Sequence, residues 1–194
     1  MSTPTEADLL TGRYIFGRHG DAWNKLRFAD PSRPGDAKPA DKLYTFIDGD
    51  ADKTVLGTGT DRDDVYRGGY GDDQFFGRRG DDHLFGQNGD DDLRGGEGND
   101  HIYGGEGSDH LDGGEGDDRI WGDEGADDFR FDAGHGHDRI FDFEPGTDSI
   151  SVMTVGVAKS QIRYSDDGAG NTLVTWGVPD SGVVLVGVDA GQFT

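Results

Sequence analysis

Aspartate recurs at every ninth residue through the middle of the chain. When the sequence is divided into blocks of nine from Gly59, the sixth position is Asp in eight consecutive blocks. These residues are Asp64, Asp73, Asp82, Asp91, Asp100, Asp109, Asp118 and Asp127. Carboxylate and carbonyl oxygens are the ligands that hard divalent cations prefer. Stacked turns without cations would hold like charges a few ångströms apart, which is unfavourable, so the pattern predicts metal binding.

Glycine shares the nine-residue period. Gly opens every block and stands fourth in seven of the eight, with Arg62 as the exception. Repeated glycine allows a turn to adopt positive φ and to bring its carbonyl groups close to a common point. We therefore predict that the fourth position contributes to the metal sites through Gly71, Gly80, Gly89, Gly98, Gly107, Gly116 and Gly125. The share of the first turn is left open, because Arg62 replaces the glycine there.

The elements that must position these residues follow from the eighth position, which is always large and apolar. Its occupants are Tyr66, Phe75, Leu84, Leu93, Ile102, Leu111, Ile120 and Phe129. One apolar residue between two variable positions predicts a three-residue strand with a single inward side chain, because alternate strand residues face opposite ways. The other six residues must then form the turn. Two weaker copies at 133–141 and 143–151 place Asp138 and Asp148 sixth, where a regular stack would end.

This nonapeptide resembles the G-G-x-G-x-D-x-U-x repeat of the RTX (repeats-in-toxin) family, the hemolysin-type calcium-binding repeat. The resemblance covers residues 59–151 and extends to the segments at 171–176 and 183–194. It implies an all-β fold, a right-handed parallel β-roll in which two blocks make one coil and Ca²⁺ lies between turns on the same side. Carried over, the sixth-position Asp residues and backbone carbonyls would hold about six Ca²⁺ ions, with more through Asp138 and Asp148.

The resemblance also implies how the chain is organised and where it works. We expect an N-terminal cap with a Pro-rich linker at 1–58, the β-roll at 59–151, and a C-terminal β cap with a type I secretion segment at 152–194. The implied partner is the type I secretion machinery, and the implied location is extracellular. The secreted chain would fold outside the cell, because Ca²⁺ binds and stabilises only the folded roll.

Composition excludes several classes of function. The 194 residues include 18 Lys and Arg against 40 Asp and Glu, for a net charge of -22, which argues against nucleic acid or anionic membranes as partners. Cys is absent, which excludes disulfides and thiolate metal sites. The apolar runs are too short for a membrane span. Only 31% of the residues are hydrophobic, so we expect no thick conventional core.

Two segments outside the repeats resemble other sites. GRHGDAWN at 17–24 resembles the R-H-G strand end of histidine phosphatases, but every other His lies in the repeats, so a surface loop or cap strand is favoured. DGDADK at 48–53 resembles the start of an EF-hand loop, yet Lys53 replaces the required Gly. A solvated turn or an additional edge Ca²⁺ site remains for that segment. Neither H-E-x-x-H nor G-x-S-x-G occurs, and we expect no enzyme.

The ninth positions predict an aromatic surface. Alternate blocks of a roll lie on opposite sheets, so Arg67, Phe85, Tyr103 and Trp121 fall in one outward column. Neighbouring strands are about 4.8 Å apart, which brings the three rings into contact. Two interpretations stay open: residues 1–58 or the C-terminal hairpin cover this face, or the face binds a carbohydrate or protein ligand.

The pattern as a whole favours a secreted calcium-binding RTX protein that forms a β-roll on export. One alternative is the C-terminal calcium-binding secretion module of a larger exported enzyme. A second alternative is an adhesin or lectin that uses the aromatic face. A catalytic domain upstream in the intact gene would separate the first alternative from the main hypothesis.

Overall fold

A computed structural model describes residues 43–46, 56–132, 134–153, 157–177 and 182–193. The segments at 17–24 and 48–53, and most of the predicted N-terminal cap, lie outside the described residues. The strands are β1 (Leu43–Phe46), β2 (Leu56–Thr58), β3 (Asp64–Gly69), β4 (Gln74–Arg79), β5 (His83–Asn88), β6 (Asp92–Glu97), β7 (His101–Gly107), β8 (His110–Glu115), β9 (Arg119–Gly125), β10 (Asp128–Phe131), β11 (His137–Ile140), β12 (Ser149–Val152), β13 (Arg163–Asp166), β14 (Thr172–Thr175) and β15 (Gly182–Leu185). Two short 3-10 helices span Lys159–Gln161 and Ala190–Phe193. No helix in the described part of the chain is both long and apolar enough to cross a membrane.

The strands form two sheets that the chain visits alternately. The first sheet has the order β1-β3-β5-β7-β9-β11-β15-β14-β13, and the second has the order β12-β10-β8-β6-β4-β2. Within the repeats, neighbouring strands of one sheet are parallel and shifted by two blocks, so Leu84 lies opposite Ile102 and Leu93 opposite Leu111. Each coil therefore contains two nonapeptides. The all-β fold and the parallel β-roll that the sequence predicts are confirmed.

The core is a single row of eighth-position side chains from each sheet. All eight are at most 2% exposed, as the repeat predicts. The row is thin because each block contributes one inward apolar side chain. It widens at the C-terminal end, where Phe131, Trp176, Val183 and Leu185 are also buried.

The strands are longer than the three residues that the pattern predicts, and that prediction was wrong. β4 covers positions seven to nine of one block and one to three of the next. The glycine-rich positions still pair with the next coil, since Gln87 lies opposite Gly105 and Asn88 opposite Glu106. Backbone pairing needs no side chain, so the strand continues through these residues and the turn shrinks to positions four to six.

Both ends of the roll extend beyond the regular repeats. At the start, β1 pairs with β3 and β2 with β4, so both sheets begin before Gly59. At the end, the weaker copies supply β11 and β12, which pair in parallel with β9 and β10. β15 then joins β11 in parallel, and β14 and β13 add antiparallel strands. The C-terminal hairpin therefore prolongs the first sheet at its edge. The division of the chain into three parts stays a prediction.

The predicted aromatic column lies on the outer face of the first sheet. Phe85 and Tyr103 stack with centroids 4.9 Å apart, and Tyr103 and Trp121 with centroids 4.4 Å apart. Phe141 extends the stack, 4.4 Å from Trp121, and the Arg67 guanidinium lies 5.1 Å from the Phe85 centroid. The stacked pairs are within 9° of parallel. Each inner ring therefore has both faces covered by its neighbours and presents its edge to the solvent.

We expect Tyr103→Ala to lower the free energy of unfolding of the Ca²⁺-loaded protein by about 1–3 kcal/mol, because it removes two ring stacks. Phe76→Ala is the control, since Phe76 also stands ninth in its block but lies between Thr58 and Arg94 on the second sheet. Urea unfolding in saturating Ca²⁺ measures both changes. Equal losses for the two variants would show that the stack contributes no stability.

Candidate metal centre

The sixth-position carboxylates point into the roll. Residues six and eight of a block face the same way, because strand side chains alternate, so the carboxylate lies at the end of the apolar row. The eight regular members are at most 2% exposed, and Asp138 is fully buried. Asp148 is half-buried. The repeat thus gathers its carboxylates inside the two rows of turns that flank the core.

One oxygen of each of the six carboxylates from Asp82 to Asp127 accepts a hydrogen bond from the neighbouring coil. The Asp82 N–H donates to Asp100 Oδ1 over 2.7 Å, and the Asp100 N–H donates to Asp118 Oδ1 over 2.7 Å. In the other row of turns the Asp91 N–H donates to Asp109 Oδ1 over 2.8 Å. The side chains are therefore fixed in rotation, with Oδ1 committed to the backbone.

The second oxygen of the six inner carboxylates has no hydrogen-bond donor although it is buried. These Oδ2 atoms form two columns, here named the first carboxylate column (Asp82, Asp100, Asp118) and the second carboxylate column (Asp91, Asp109, Asp127). A buried charged oxygen without a partner is costly, because it has lost its water and gained nothing in return. Both columns therefore require a positive charge or a proton.

Backbone carbonyls converge on the same places. A Cβ built on Gly77 would overlap Asp82 Oδ2 and lie 2.5 Å from the carbonyl oxygen of Gly95, one coil later. Gly86 has the same relation to Asp91 and to the carbonyl of Gly104. The first position of the block must therefore be glycine, because oxygens occupy the space of its side chain.

The fourth-position glycines, which we predicted to serve the metal sites, stack directly on one another. A Cβ on each of Gly89, Gly98, Gly107, Gly116 and Gly125 would collide with the carbonyl oxygen of the fourth glycine one coil earlier, beginning with Gly71. Their φ angles, with that of Gly80, lie between +117° and +155°, as the turn argument requires. The fourth-position carbonyls thus point from each coil toward the next.

Arg62 is compatible with this arrangement. A Cβ on Gly80 would lie 2.5 Å from the Arg62 carbonyl oxygen, where a glycine carbonyl stands in later coils. The side-chain position of a fourth residue faces the preceding coil, and Arg62 belongs to the first regular block. The first turn therefore presents the same backbone oxygen without glycine.

The donor set fits Ca²⁺. Within the described residues no three His, Asp or Glu side chains meet at one point, so a cation here would draw on carbonyls as well as on carboxylates. An all-oxygen environment that mixes carboxylate and carbonyl groups suits Ca²⁺ better than metals that prefer imidazole or thiolate. The unpartnered Oδ2 atoms and the converging carbonyls are the features that a bound Ca²⁺ would satisfy.

Burial raises the pKa of the inner carboxyls. The pKa is raised to about 8 for Asp82 and Asp91 and to about 7 for Asp100 and Asp109, with desolvation as the largest cause in each. The carboxyls one coil away raise it further at Asp82 and Asp91, while the backbone donor to each carboxyl lowers it. Near neutral pH these groups therefore bind protons that a cation would displace.

The carboxylates at the ends of the rows differ from the inner six. Asp138 Oδ1 accepts from the Asp118 N–H over 3.0 Å, and its Oδ2 lies 2.5 Å from His135 Nδ1. Asp148 Oδ1 accepts from the Asp127 N–H over 3.1 Å, and its Oδ2 from the Glu144 N–H over 2.8 Å. Both oxygens of these two predicted ligands thus meet protein nitrogens.

A second ladder of acidic residues was missed at the sequence level. The Asp90 N–H donates to Asp72 Oδ1 over 2.9 Å, and the Ser108 N–H donates to Asp90 Oδ1 over 2.7 Å. These fifth-position side chains are largely exposed and satisfy backbone donors of the following coil. The signal was available, because the fifth position is Asp or Asn in six of the eight regular blocks.

A family model matches the repeat, and two solved structures are reported with it. The family model of the RTX calcium-binding nonapeptide repeat matches in four copies, at residues 58–93, 85–120, 94–129 and 103–140. The extracellular lipase LipA from Serratia marcescens is 16% identical with a TM-score of 0.31, and the match covers 73% of this chain and 39% of the lipase. A subunit of the Azotobacter vinelandii mannuronan C5-epimerase is 24% identical with a TM-score of 0.33, over 74% of this chain and 77% of the subunit. No curated protein matches the chain.

We expect Gly95→Ala to abolish Ca²⁺ binding at its coil. The added methyl group would overlap Asp100 Oδ2 and approach the Gly113 carbonyl oxygen to 2.5 Å, so one of these oxygens must move. Gly191→Ala is the control, because its methyl group would meet Asp189 Oδ1, the end of an exposed side chain, at 3.2 Å. Calorimetric titration compares the ion count per chain, and an unchanged count in Gly95→Ala would contradict the site.

We expect the metal-free roll to become more stable as the pH falls. Asp82, Asp91, Asp100 and Asp109 have folded pKa values of about 7 to 8 against 3.8 when unfolded, so the folded state binds more protons across that range. Stability from these groups is complete below pH 3.8 and is lost as the pH rises through 7 to 8. Circular dichroism in a chelator, from pH 8.5 to about 4.5, measures the strand signal. A signal that weakens with acid would oppose the argument.

Proposed function

Residues 58–140 belong to the RTX family of calcium-binding nonapeptide repeats, and from this premise we propose that the chain is a secreted calcium-binding protein whose roll folds when Ca²⁺ binds. The observation that carries the proposal is the pair of carboxylate columns, with six buried Oδ2 atoms that have no donor. Bound Ca²⁺ supplies the positive charge that these columns lack. Six such oxygens support a capacity of about six ions, three in each row of turns.

The link between Ca²⁺ and folding follows from where the carboxylates lie. In the unfolded chain they are hydrated and far apart, so their repulsion is small. In the roll they are buried one coil apart, and the thin core contributes only one apolar side chain per block. A ligand that binds the folded state alone shifts the equilibrium toward folding.

The coupling between Ca²⁺ binding and folding is useful to a protein that is exported from the cell. The RTX resemblance implies the type I secretion machinery as a partner and an extracellular location. A chain that stays unfolded at low cytosolic Ca²⁺ can pass through the secretion machinery in extended form. The Ca²⁺ outside the cell then favours the folded roll. We therefore infer that Ca²⁺ acts after secretion.

We further propose a binding or structural role rather than catalysis. Within the described residues, the buried ionisable carboxylate and imidazole groups all belong to the repeats: they are the sixth-position Asp residues and His135. The role as a module of a larger exported enzyme stays an alternative that an upstream catalytic domain would establish.

A lectin role is less favoured, because the inner rings of the aromatic column offer edges, and sugars stack on ring faces.

The test is a Ca²⁺ titration followed by circular dichroism. We expect a disordered spectrum in chelator and a cooperative gain of strand signal, with a midpoint on the order of 10⁻⁴–10⁻³ M. A native-like strand signal with a sharp thermal transition in chelator at neutral pH would overturn Ca²⁺-dependent folding.

Adjacent aspartates in one block allow a matched test of the site. We expect Asp91→Asn to raise the Ca²⁺ midpoint about tenfold, because affinity depends on the number of charged ligands and Asp91 belongs to the second carboxylate column. Asp90→Asn removes the same charge one residue away, at the exposed end of a hydrogen bond from Ser108, and should shift the midpoint about twofold or less. Equal shifts would mean that net charge alone governs Ca²⁺ binding.

A further inference from the structure

One third-position side chain is buried, whereas those of the later regular blocks are exposed. In the later regular blocks this position is glutamate, and Glu97, Glu106, Glu115 and Glu124 are all exposed. In the first weak copy the third residue is His135, which is 3% exposed. The backbone turn is of the same kind, since Gly136 follows it with a φ of +86°. The difference therefore lies in the direction of the third-position side chain, which points into the roll at His135 and toward solvent at the glutamates.

The His135 ring is held inside the end of the roll by three neighbours. Its Nδ1 lies 2.5 Å from Asp138 Oδ2. Its ring stacks on Trp176, with centroids 4.8 Å apart, and tilts against Phe131 at 5.2 Å. Packing on two large rings fixes the imidazole, so that the nitrogen is aimed at the carboxylate.

Asp138 otherwise repeats the geometry of the first carboxylate column. Its Oδ1 accepts from the Asp118 N–H, just as Asp118 Oδ1 accepts from the Asp100 N–H. The two residues differ at Oδ2, which has no donor in Asp118 and meets the imidazole in Asp138. The imidazole thus stands at the oxygen that the inner turns leave for a cation.

We infer that His135 takes the place of a calcium ion at the end of the first carboxylate column, so that Asp138 continues the stack without being a calcium ligand. The inference rests on the proposed function, because it concerns where the calcium sites stop. The ring satisfies the carboxylate by donating from Nδ1. Both the protonated ring and the neutral tautomer with its proton on Nδ1 can donate there.

Two other carboxylates near the ends of the regular repeats, Asp148 and Asp64, also have a hydrogen-bond donor at Oδ2. In the second row of turns, Asp148 Oδ2 accepts from the backbone N–H of Glu144. At the start of the roll, Asp64 Oδ2 accepts from the Thr60 N–H over 2.6 Å and from the Thr60 hydroxyl over 3.1 Å. Each of these donors comes from the turn that carries the carboxylate. The Oδ2 atoms of Asp148 and Asp64 are therefore satisfied by donors from their own turns.

The first experiment counts bound Ca²⁺ in the full chain and in two variants, by calorimetric titration and by mass spectrometry of the folded protein. We expect Asp118→Asn to bind one ion fewer than the parent and Asp138→Asn to bind as many as the parent. Loss of an ion in Asp138→Asn would overturn the inference while leaving the proposed function intact. A parent chain that binds no Ca²⁺ would instead overturn the proposed function.

The second experiment tests the His135–Asp138 pair in saturating Ca²⁺. We expect His135→Leu to lower the thermal midpoint in the parent background and to have little further effect in Asp138→Asn, because the carboxylate that needs the donor is then gone. His137→Leu is the control, since His137 is exposed and lies 3.7 Å from Asp117. Equal effects of His135→Leu in both backgrounds would overturn the inference. If His135→Leu fails to fold, the ion count of Asp138→Asn decides.

Discussion

The repulsion between carboxylates buried one coil apart is the constraint on which the structure depends. Each coil adds two carboxylates to the interior, and the backbone of the neighbouring coil satisfies only one oxygen of each inner side chain. The other oxygen is left buried with no donor in six successive blocks. A fold that repeats this unit is stable only with a positive partner or with protonation, so cation binding and folding are coupled.

That constraint explains why so much of the repeat is glycine and so little is apolar. The carboxylate and carbonyl oxygens occupy the space in which a first-position side chain would lie, and the fourth-position carbonyl abuts the next coil. Large side chains are therefore excluded from the first and fourth positions, and the inward-facing apolar side chain of each block stands at the eighth. Two single rows of side chains then form the core, which accounts for a hydrophobic content of only 31%. Bound Ca²⁺, under the proposed function, would supply stability that a thick core provides in other folds.

The sequence predicted what depends on the period and missed what depends on neighbouring coils. The buried eighth position follows from alternation within one block, and the parallel roll was implied by the resemblance to the RTX repeat. The full strand length, the fifth-position ladder and the burial of His135 depend on contacts 18 or more residues away, or on a local change of side chain. Positive φ at Arg78, Gln87 and Asp123 was also hidden, because the second position adopts it whether or not glycine is present.

The repeat couples its coils in two chemically different ways. Inside the turns the coils are joined by backbone N–H donors to the carboxylates, whose second oxygen needs a cation or a proton. On the outer face of the first sheet the rings from Phe85 to Phe141 stack directly. The stack needs no ion, so it holds adjacent coils in register while the carboxylates remain responsive to Ca²⁺. Both kinds of coupling also change toward the ends of the regular repeats. Arg67 covers the outer face of Phe85, and His135 occupies the last oxygen of the first row of turns. At these two places a nitrogen-bearing side chain contacts a ring or a carboxylate, whereas Asp148 Oδ2 accepts from the backbone N–H of Glu144.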